Sequence, residues 1–218
     1  MSLAHYIPDI SVLIKFSAAS LALFLVPGPD MVLCLSKTIA YGRKTAFFVF
    51  LGITCGLLIH TLLAAFSVSA LLVASQTAFF ILRILGALYL IWLAVNVLRN
   101  GSKLNIHAGE ENASAVPSFM RSFMTGLGVN LTNPKVILFF ITFLPQFVSV
   151  SDPMADGKLM FLGVYFVLFT TPLMGLLILA ADKFVLKLKR NPGILRIIDY
   201  LFSGVFISFA VGILFARR

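Results

Sequence analysis

The stretch Leu25-Val26-Pro27-Gly28-Pro29-Asp30 decides the fold of this chain, because it interrupts an apolar run that is long enough to cross a membrane. Pro27 and Pro29 lack a backbone N–H and Gly28 relaxes the backbone between them, so a helix must open here. Open backbone within hydrocarbon is tolerated only where protein or a water-filled cavity covers it. Asp30 follows directly, in a segment where a charge costs about 3 kcal/mol or more. A broken helix beside a buried acid is typical of a transport site.

The composition of the 218-residue chain indicates a membrane protein. Its residues are 60% hydrophobic and 11% charged, whereas a soluble domain carries roughly 25% charged residues. The formal net charge is +9, but Lys and Arg lie between the apolar runs and not on one face, so we expect no nucleic-acid partner. The first apolar run lacks a convincing cleavage site, so we expect it to be retained as a membrane helix.

Six apolar runs follow one another along the chain, and each is long enough for a crossing of roughly 20 helical residues. They lie at about 7–41, 45–70, 77–98, 119–150, 158–182 and 195–216. The first and fourth runs are too long for one straight crossing. Both are interrupted near the middle, at Pro27-Gly28-Pro29 and at Asn133-Pro134. The interruption therefore recurs at corresponding places in the two halves of the chain.

A polar stretch divides the runs into two groups of three. We assign residues 1–98 to a first three-helix repeat, 99–118 to a polar cytoplasmic linker and 119–218 to a second repeat. An odd number of crossings in each half inverts the second half in the membrane. The sequence thus predicts an all-α polytopic membrane protein with six transmembrane helices. They form two inverted three-helix repeats, with the first helix of each repeat broken at proline.

The charges of the connections predict the orientation. Most Lys and Arg residues lie in the connections after runs one, three and five, so the positive-inside bias places these connections in the cytoplasm. Both termini are then on the outer side. If the chain turns back at Pro27-Gly28-Pro29 as a re-entrant hairpin, the N-terminus is cytoplasmic instead, and the C-terminus stays outside.

Asp30 and Lys135 are the charged residues that follow the two interruptions. Asp30 is the only carboxylate well inside an apolar run, which makes it the first candidate for a proton carrier. The alternative is a helix cap that favours the positive N-terminal dipole. A two-fold relation between the halves would bring Lys135 onto a facing helix, where the two charges could neutralise each other. Lys135 could instead extend its side chain to an interface.

The amide side chains at the second interruption favour a site for an amino acid. Amides and freed carbonyls there can hold an ammonium group, while the opened helix N-termini can face a carboxylate. The alternative is that the amides only satisfy freed backbone. The predicted substrate-binding residues are Pro27, Gly28, Pro29, Asp30, Asn130, Thr132, Asn133, Pro134 and Lys135. His60 is a second candidate for proton coupling, although a lone His in an apolar helix is more often a packing residue.

Other patterns indicate packing and not chemistry. Gly52-xxx-Gly56 and the stripe Gly204, Ser208, Gly212 are small-residue patterns typical of helix interfaces. No Ser-His-Asp set, phosphate loop or Cys/His metal spacing is present in the sequence, so we predict neither an enzyme, a cofactor nor a metal site. Cys34 and Cys55 lie in apolar segments without CxxC spacing, which favours reduced packing residues.

Motifs from both halves resemble the LysE/RhtB family of amino-acid exporters, and the match covers nearly the whole chain. They are Pro27-Gly28-Pro29-Asp30, Gly52-Ile-Thr-Cys-Gly56, Gly86-Ala-Leu-Tyr-Leu-Ile-Trp-Leu93, Asn130-Leu-Thr-Asn-Pro-Lys135 and Phe143-Leu-Pro-Gln-Phe147. The resemblance implies a multi-pass protein of the bacterial inner membrane that exports amino acids or close derivatives by proton antiport. The PGPD and GITCG forms are most similar to the threonine and homoserine exporters.

The expected function is therefore secondary active efflux of small, threonine- or homoserine-like amino acids, with protons and the lipid bilayer as the other partners. Two other classes stay open from the residues alone. One is a transmembrane thiol-redox relay, which would need the sulfurs of Cys34 and Cys55 to meet. The other is a non-transporting membrane assembly factor, against which the buried Asp30 argues. The sequence also leaves a homodimer open.

Overall fold

The computed structural model describes residues 6–101, 115–149 and 152–215, and within these ranges the chain is helical with no strand. Most of the predicted linker, residues 102–114, lies outside the described residues. The helices are α1 Ile10–Leu25, α2 Pro29–Tyr41, α3 Arg43–Ala74, α4 Gln76–Asn100, α5 Phe119–Leu131, α6 Pro134–Leu138, α7 Ala155–Leu179, α8 Ala181–Arg190 and α9 Pro192–Phe215. After α6 the chain continues as a π-helical turn, Phe139–Phe143, and a 3-10 turn, Leu144–Phe147.

Two helices are long and apolar enough to cross a membrane, Arg43–Ser67 within α3 and Ala155–Leu179. The bent pairs α1–α2 and α5–α6 add one crossing each if each pair is a single span, so the described residues hold two to four candidate spans. Helices α4 and α9 contribute the shorter apolar segments Ile84–Asn100 and Asp199–Gly212. The predicted all-helical membrane class is confirmed, whereas six crossings in two inverted repeats stays a prediction.

The first predicted interruption separates α1 from α2. The axes of the two helices differ by 51°, and α2 begins with Pro29 at its first position and Gly28 as N-cap. Proline suits the first position because its missing N–H needs no partner there. Asp30 consequently lies in the first turn of α2, next to the positive end of the helix dipole.

The second predicted interruption has the same construction. The axis of α5 and that of the segment Pro134–Phe147 also differ by 51°, and α6 begins with Pro134 at its first position. Asn133 is the N-cap, and its side-chain oxygen accepts a hydrogen bond of 3.1 Å from the backbone N–H of Lys135. Lys135 therefore occupies the position in α6 that Asp30 occupies in α2.

Glycines set the close approach of α3 and α5. A Cβ added to Gly52 would lie 2.0 Å from Phe123 O, and one added to Gly126 would lie 2.0 Å from Val49 O. The two backbones are thus in direct contact, as the Gly52-xxx-Gly56 pattern predicts. This contact brings the end of α5, and with it the second interruption, against the first half of α3.

The stripe Gly204, Ser208, Gly212 does not pack against the described part of the chain, so the predicted interface there stays a prediction. A Cβ at either glycine would meet nothing within 4 Å, and Ser208 is exposed. The opposite side of α9 is buried instead. Its large Phe202 and Phe206 side chains supply the apolar contact area there.

We expect Gly126→Ala to destabilise the protein, because the new methyl group would overlap the backbone of α3. The expected loss is about 1–3 kcal/mol, as for other overpacked interiors. Gly128→Ala on the same helix is the matched control, since a Cβ there meets nothing within 4 Å, and it should be neutral or slightly stabilising. Thermal unfolding in detergent measures both variants, and equal losses would contradict the close α3–α5 contact.

Candidate functional site

The two interruptions meet at a cavity with about 540 Å³ of empty space, part of which is open to the outside. Both broken helix pairs contribute to its wall, together with one face each of α3 and α7. The lining residues are Leu23, Phe24, Val26, Gly28, Asp30, Met31, Phe50, Ile53, Leu57, Asn133, Lys135, Val136, Phe166, Thr170 and Met174. The wall is thus mostly apolar, with a small number of polar groups at the interruptions, as in many small-molecule sites.

Asp30 presents one free carboxylate oxygen in this region. Its Oδ2 accepts a hydrogen bond of 2.8 Å from Asn130 Nδ2. Its Oδ1 is buried and has no hydrogen-bond partner among the described residues. A buried acceptor without a partner is costly, so Oδ1 is a natural position for a proton or for a donor group of a ligand.

Lys135 reaches from the second interruption to the first. Its Nζ donates a hydrogen bond of 2.7 Å to Val26 O, the C-cap residue of α1. A Cβ added to Gly28 would lie 3.3 Å from both Cδ and Nζ of Lys135, so the absence of a side chain at Gly28 leaves room for the Lys135 stem. Lys158 forms an ion pair with Asp152, whereas Lys135 forms none with Asp30. The ammonium therefore stabilises a freed carbonyl of the broken helix.

His60 and Asn130 continue the polar groups away from the cavity. Asn130 is completely buried, and its backbone O lies 3.3 Å from His60 Nε2. The His60 ring stacks on Phe140 with 5.8 Å between centroids. Asp30, Asn130 and His60 therefore form a continuous series of polar contacts from α2 through α5 to α3.

Four predicted site residues line the cavity and five do not. Gly28, Asp30, Asn133 and Lys135 are in its wall. Asn130 lies behind Asp30, while Pro27, Pro29, Thr132 and Pro134 shape the backbone at the interruptions. Thr132 is the C-cap of α5, and its hydroxyl donates a hydrogen bond of 2.8 Å to Gly128 O. A hydroxyl at a helix end commonly satisfies a carbonyl of its own helix in this way.

The sequence analysis missed the apolar wall supplied by α3 and α7. Phe50, Ile53 and Leu57 come from α3, and Phe166, Thr170 and Met174 come from α7. The central parts of these helices are apolar on all sides, so periodicity did not single out the side that faces the cavity. A hydroxyl at Thr170, one turn from Phe166, was the available signal. That hydroxyl donates a hydrogen bond of 2.8 Å to Phe166 O.

Aromatic rings fill the bundle between the cavity and the N-terminal end of α1. The Phe16 centroid lies 5.1 Å from that of Phe147 and 6.1 Å from that of Phe139. Phe139 in turn packs at 4.9 Å against Phe166 of the cavity wall. On the residues next to Phe16 and Phe166, the hydroxyls of Ser17 and Tyr165 are 2.7 Å apart. The cavity is thus closed on this side by packed side chains.

Two broken helices that meet at a partly polar cavity define a membrane transport protein. Residues 21–217 match the family model described as LysE type translocator. The chain therefore belongs to the LysE family of translocators and is a multi-pass membrane protein, and the resemblance in the sequence is confirmed. Because the family covers nearly the whole chain, the thiol-redox and assembly-factor alternatives are not needed to explain it.

Curated relatives match over most of their own length. The chain is 28% identical to an uncharacterized membrane protein of Vibrio cholerae over 92% of this chain and 95% of the relative. It is 31% identical to a leucine efflux protein of Enterobacter sp. over 85% of this chain and 87% of the relative. It is 33% identical to a homoserine/homoserine lactone efflux protein of Salmonella typhimurium over 66% of this chain and 68% of the relative. No solved structure matches the chain.

Proposed function

We propose that this protein exports small neutral amino acids or close derivatives across the bacterial inner membrane in exchange for protons. The observation that carries the proposal is the buried, unpartnered Oδ1 of Asp30 in the cavity region that Lys135 also lines. A carboxylate and an ammonium in one small cavity complement a zwitterion. Two relatives that are named efflux proteins for leucine and for homoserine support the direction and the class of cargo.

In this proposal the cargo is held by its charged end. Its ammonium group donates to Asp30 Oδ1, and its carboxylate receives a hydrogen bond from Lys135 Nζ, which has two further protons besides the one given to Val26 O. Asn133 lies in the same wall. A proton on Asp30 competes with the cargo ammonium for the same oxygen. Such competition couples proton entry to cargo release when only an occupied site changes the side to which it is open.

Two cargo classes follow from different observations. The resemblance of the PGPD and GITCG motifs to those of the threonine and homoserine exporters favours threonine or homoserine. The apolar wall favours a leucine-like side chain, because the Thr170 hydroxyl already donates to Phe166 O and the remaining α3 and α7 lining residues are apolar. Burying a leucine side chain contributes about 1.5–3 kcal/mol. A buried hydroxyl without a partner costs about 1–3 kcal/mol.

We therefore expect leucine to be transported with a kcat/KM about tenfold or more above that of threonine. The measurement is uptake of labelled leucine and threonine into inside-out vesicles, with an imposed pH gradient, with the gradient collapsed, and without the protein. If threonine instead shows the higher kcat/KM of the two in gradient-dependent uptake, the cargo belongs to the threonine and homoserine class. Uptake of no amino acid under any gradient would reject the exporter.

The inverted repeat belongs to the same proposal. Both interruptions bend the chain by 51°, and both place a charged residue directly after a first-position proline. Helix α3 packs against α7 and α4 against α9, as expected for helices that correspond under a two-fold axis. Residues 1–98 and 119–218 are then the two repeats, joined by the cytoplasmic linker 99–118. A homodimer is compatible with this arrangement.

The proposed orientation predicts the sides of two reporters. A reporter fused after Arg218 should be active on the outer side of the membrane, and one inserted at 187–191 should be active in the cytoplasm. An enzyme pair of alkaline phosphatase and β-galactosidase reads out both sides at both positions. Reversed activities would reject the orientation and leave the two interruptions unaffected.

A further inference from the structure

Asn130 lies behind Asp30 and outside the wall of the cavity. It is 0% exposed, and its Nδ2 donates to Asp30 Oδ2 at 2.8 Å. From this placement we infer that Asn130 is a positioning residue for the Asp30 carboxylate and not a contact of the cargo. The role rests on the proposed function, but it makes a prediction about Asp30 that needs no cargo.

The amide determines which carboxylate oxygen is available. Asn130 Nδ2 donates its hydrogen bond to Oδ2 of Asp30. The other oxygen, Oδ1, has no partner in the described part of the chain. Oδ1 is therefore the oxygen that can take up a proton or accept from a cargo ammonium. An amide N–H can only donate, and a donor favours the ionised form of a carboxyl group. This hydrogen bond therefore favours the form of Asp30 that binds an ammonium, relative to the same carboxyl group without the amide.

Helix α3 leaves room for the Asn130 amide beside Asp30. A Cβ added to Gly56 would lie 2.3 Å from Asn130 Oδ1, so only glycine leaves room for the amide at this crossing. Rotation of the amide by half a turn would place Oδ1 against Asp30 Oδ2, and two acceptors repel each other. The close contact of α3 with α5 thus leaves room for the amide, and the carboxylate selects its donor end.

Other groups also act on Asp30, and each comes from a different element. His60 faces it from α3 and Lys135 from α6. Cys34 lies one turn further along α2 and interacts with the same carboxylate. Asn133 is the other amide near it. The cavity-lining residues of α1 and α7 carry no titratable group. All these groups are unchanged in variants at position 130, so they form a constant background.

The test is an infrared pH titration of the protonated carboxyl band of the purified protein, with Asp30→Asn identifying the band of Asp30. In Asn130→Ala the midpoint should move upward by about one pH unit or more, because a hydrogen bond that favours the ionised carboxylate is lost. Ser122→Ala is the matched control. Ser122 is also buried on α5, with its hydroxyl unpartnered in the described residues, and this variant should leave the midpoint unchanged.

A second variant covers the case in which Asn130→Ala does not fold. Asn130→Leu keeps the approximate shape of the side chain and carries no N–H donor, so the upward shift should persist. An unchanged midpoint in a folded variant would overturn the inference.

Transport assays in proteoliposomes distinguish a positioning residue from a cargo contact at Asn130. A positioning residue moves the pH profile of leucine uptake and leaves KM at the optimal pH within about twofold, whereas a cargo contact raises KM without moving the profile. Absence of leucine and threonine uptake by the wild type would reject the proposed function, while the infrared shift would still decide the role of Asn130.

Discussion

Asp30→Asn should abolish gradient-driven export and leave folded protein in the membrane. The amide still occupies the space of the carboxyl group, but it can neither bind nor release a proton at any pH used for transport. Exchange of labelled for unlabelled cargo, which needs no net proton movement, should survive at a reduced rate. The reduction reflects the lost negative charge opposite the cargo ammonium. The measurement compares net uptake driven by a pH gradient with exchange at equal pH, in the same proteoliposomes.

Asp156→Asn is the matched control for this loss. Asp156 is an exposed carboxylate in the first turn of α7, so its replacement should change neither gradient-driven uptake nor exchange. Full gradient-driven uptake by Asp30→Asn would show that Asp30 is only a helix cap. The proton path would then have to pass through His60, and His60→Gln would become the decisive variant.

Lys135→Met should impair both folding and transport, and part of each loss should depend on Asp30. Methionine keeps the length of the stem that passes over Gly28 but removes the donor to Val26 O and the positive charge near Asp30. We expect a loss of about 1–3 kcal/mol in stability, the range for a buried acceptor that loses its partner. The transport optimum should also move to higher pH, because removal of a nearby cation disfavours an ionised carboxylate.

The double variant Asp30→Asn/Lys135→Met separates the two contributions. If the charges interact, neutralising Asp30 should recover part of the expression that Lys135→Met loses, with a coupling energy of at least about 0.5 kcal/mol. The part that is not recovered measures the bond to Val26 O. Lys44→Met controls for loss of a lysine, since Lys44 is exposed at the start of α3. Strictly additive losses would show that Lys135 serves the broken backbone of α1 alone.

Features that depend on local backbone chemistry were predictable from the sequence. Both interruptions lie where proline removes a backbone donor, and both new helices begin at Pro29 and Pro134 as their first residues. The apolar runs predicted the helices because a membrane span depends on length and composition alone. The close contact at Gly52 was also readable, since a pair of small residues four apart admits another backbone.

Contacts between distant segments were decided by the tertiary structure. Lys135 was predicted opposite Asp30, but its ammonium donates to Val26 O, 109 positions away in the sequence. Asn130 was predicted among the substrate-binding residues, and its hydrogen bond to Asp30 beside Gly56 could not be read from the sequence. The apolar wall from α3 and α7 left no mark in the periodicity, because the central parts of both helices are apolar on all sides. Proline and composition act within a few residues of the chain, whereas the partner of a side chain depends on the relative rotation and depth of whole helices, which only their packing determines.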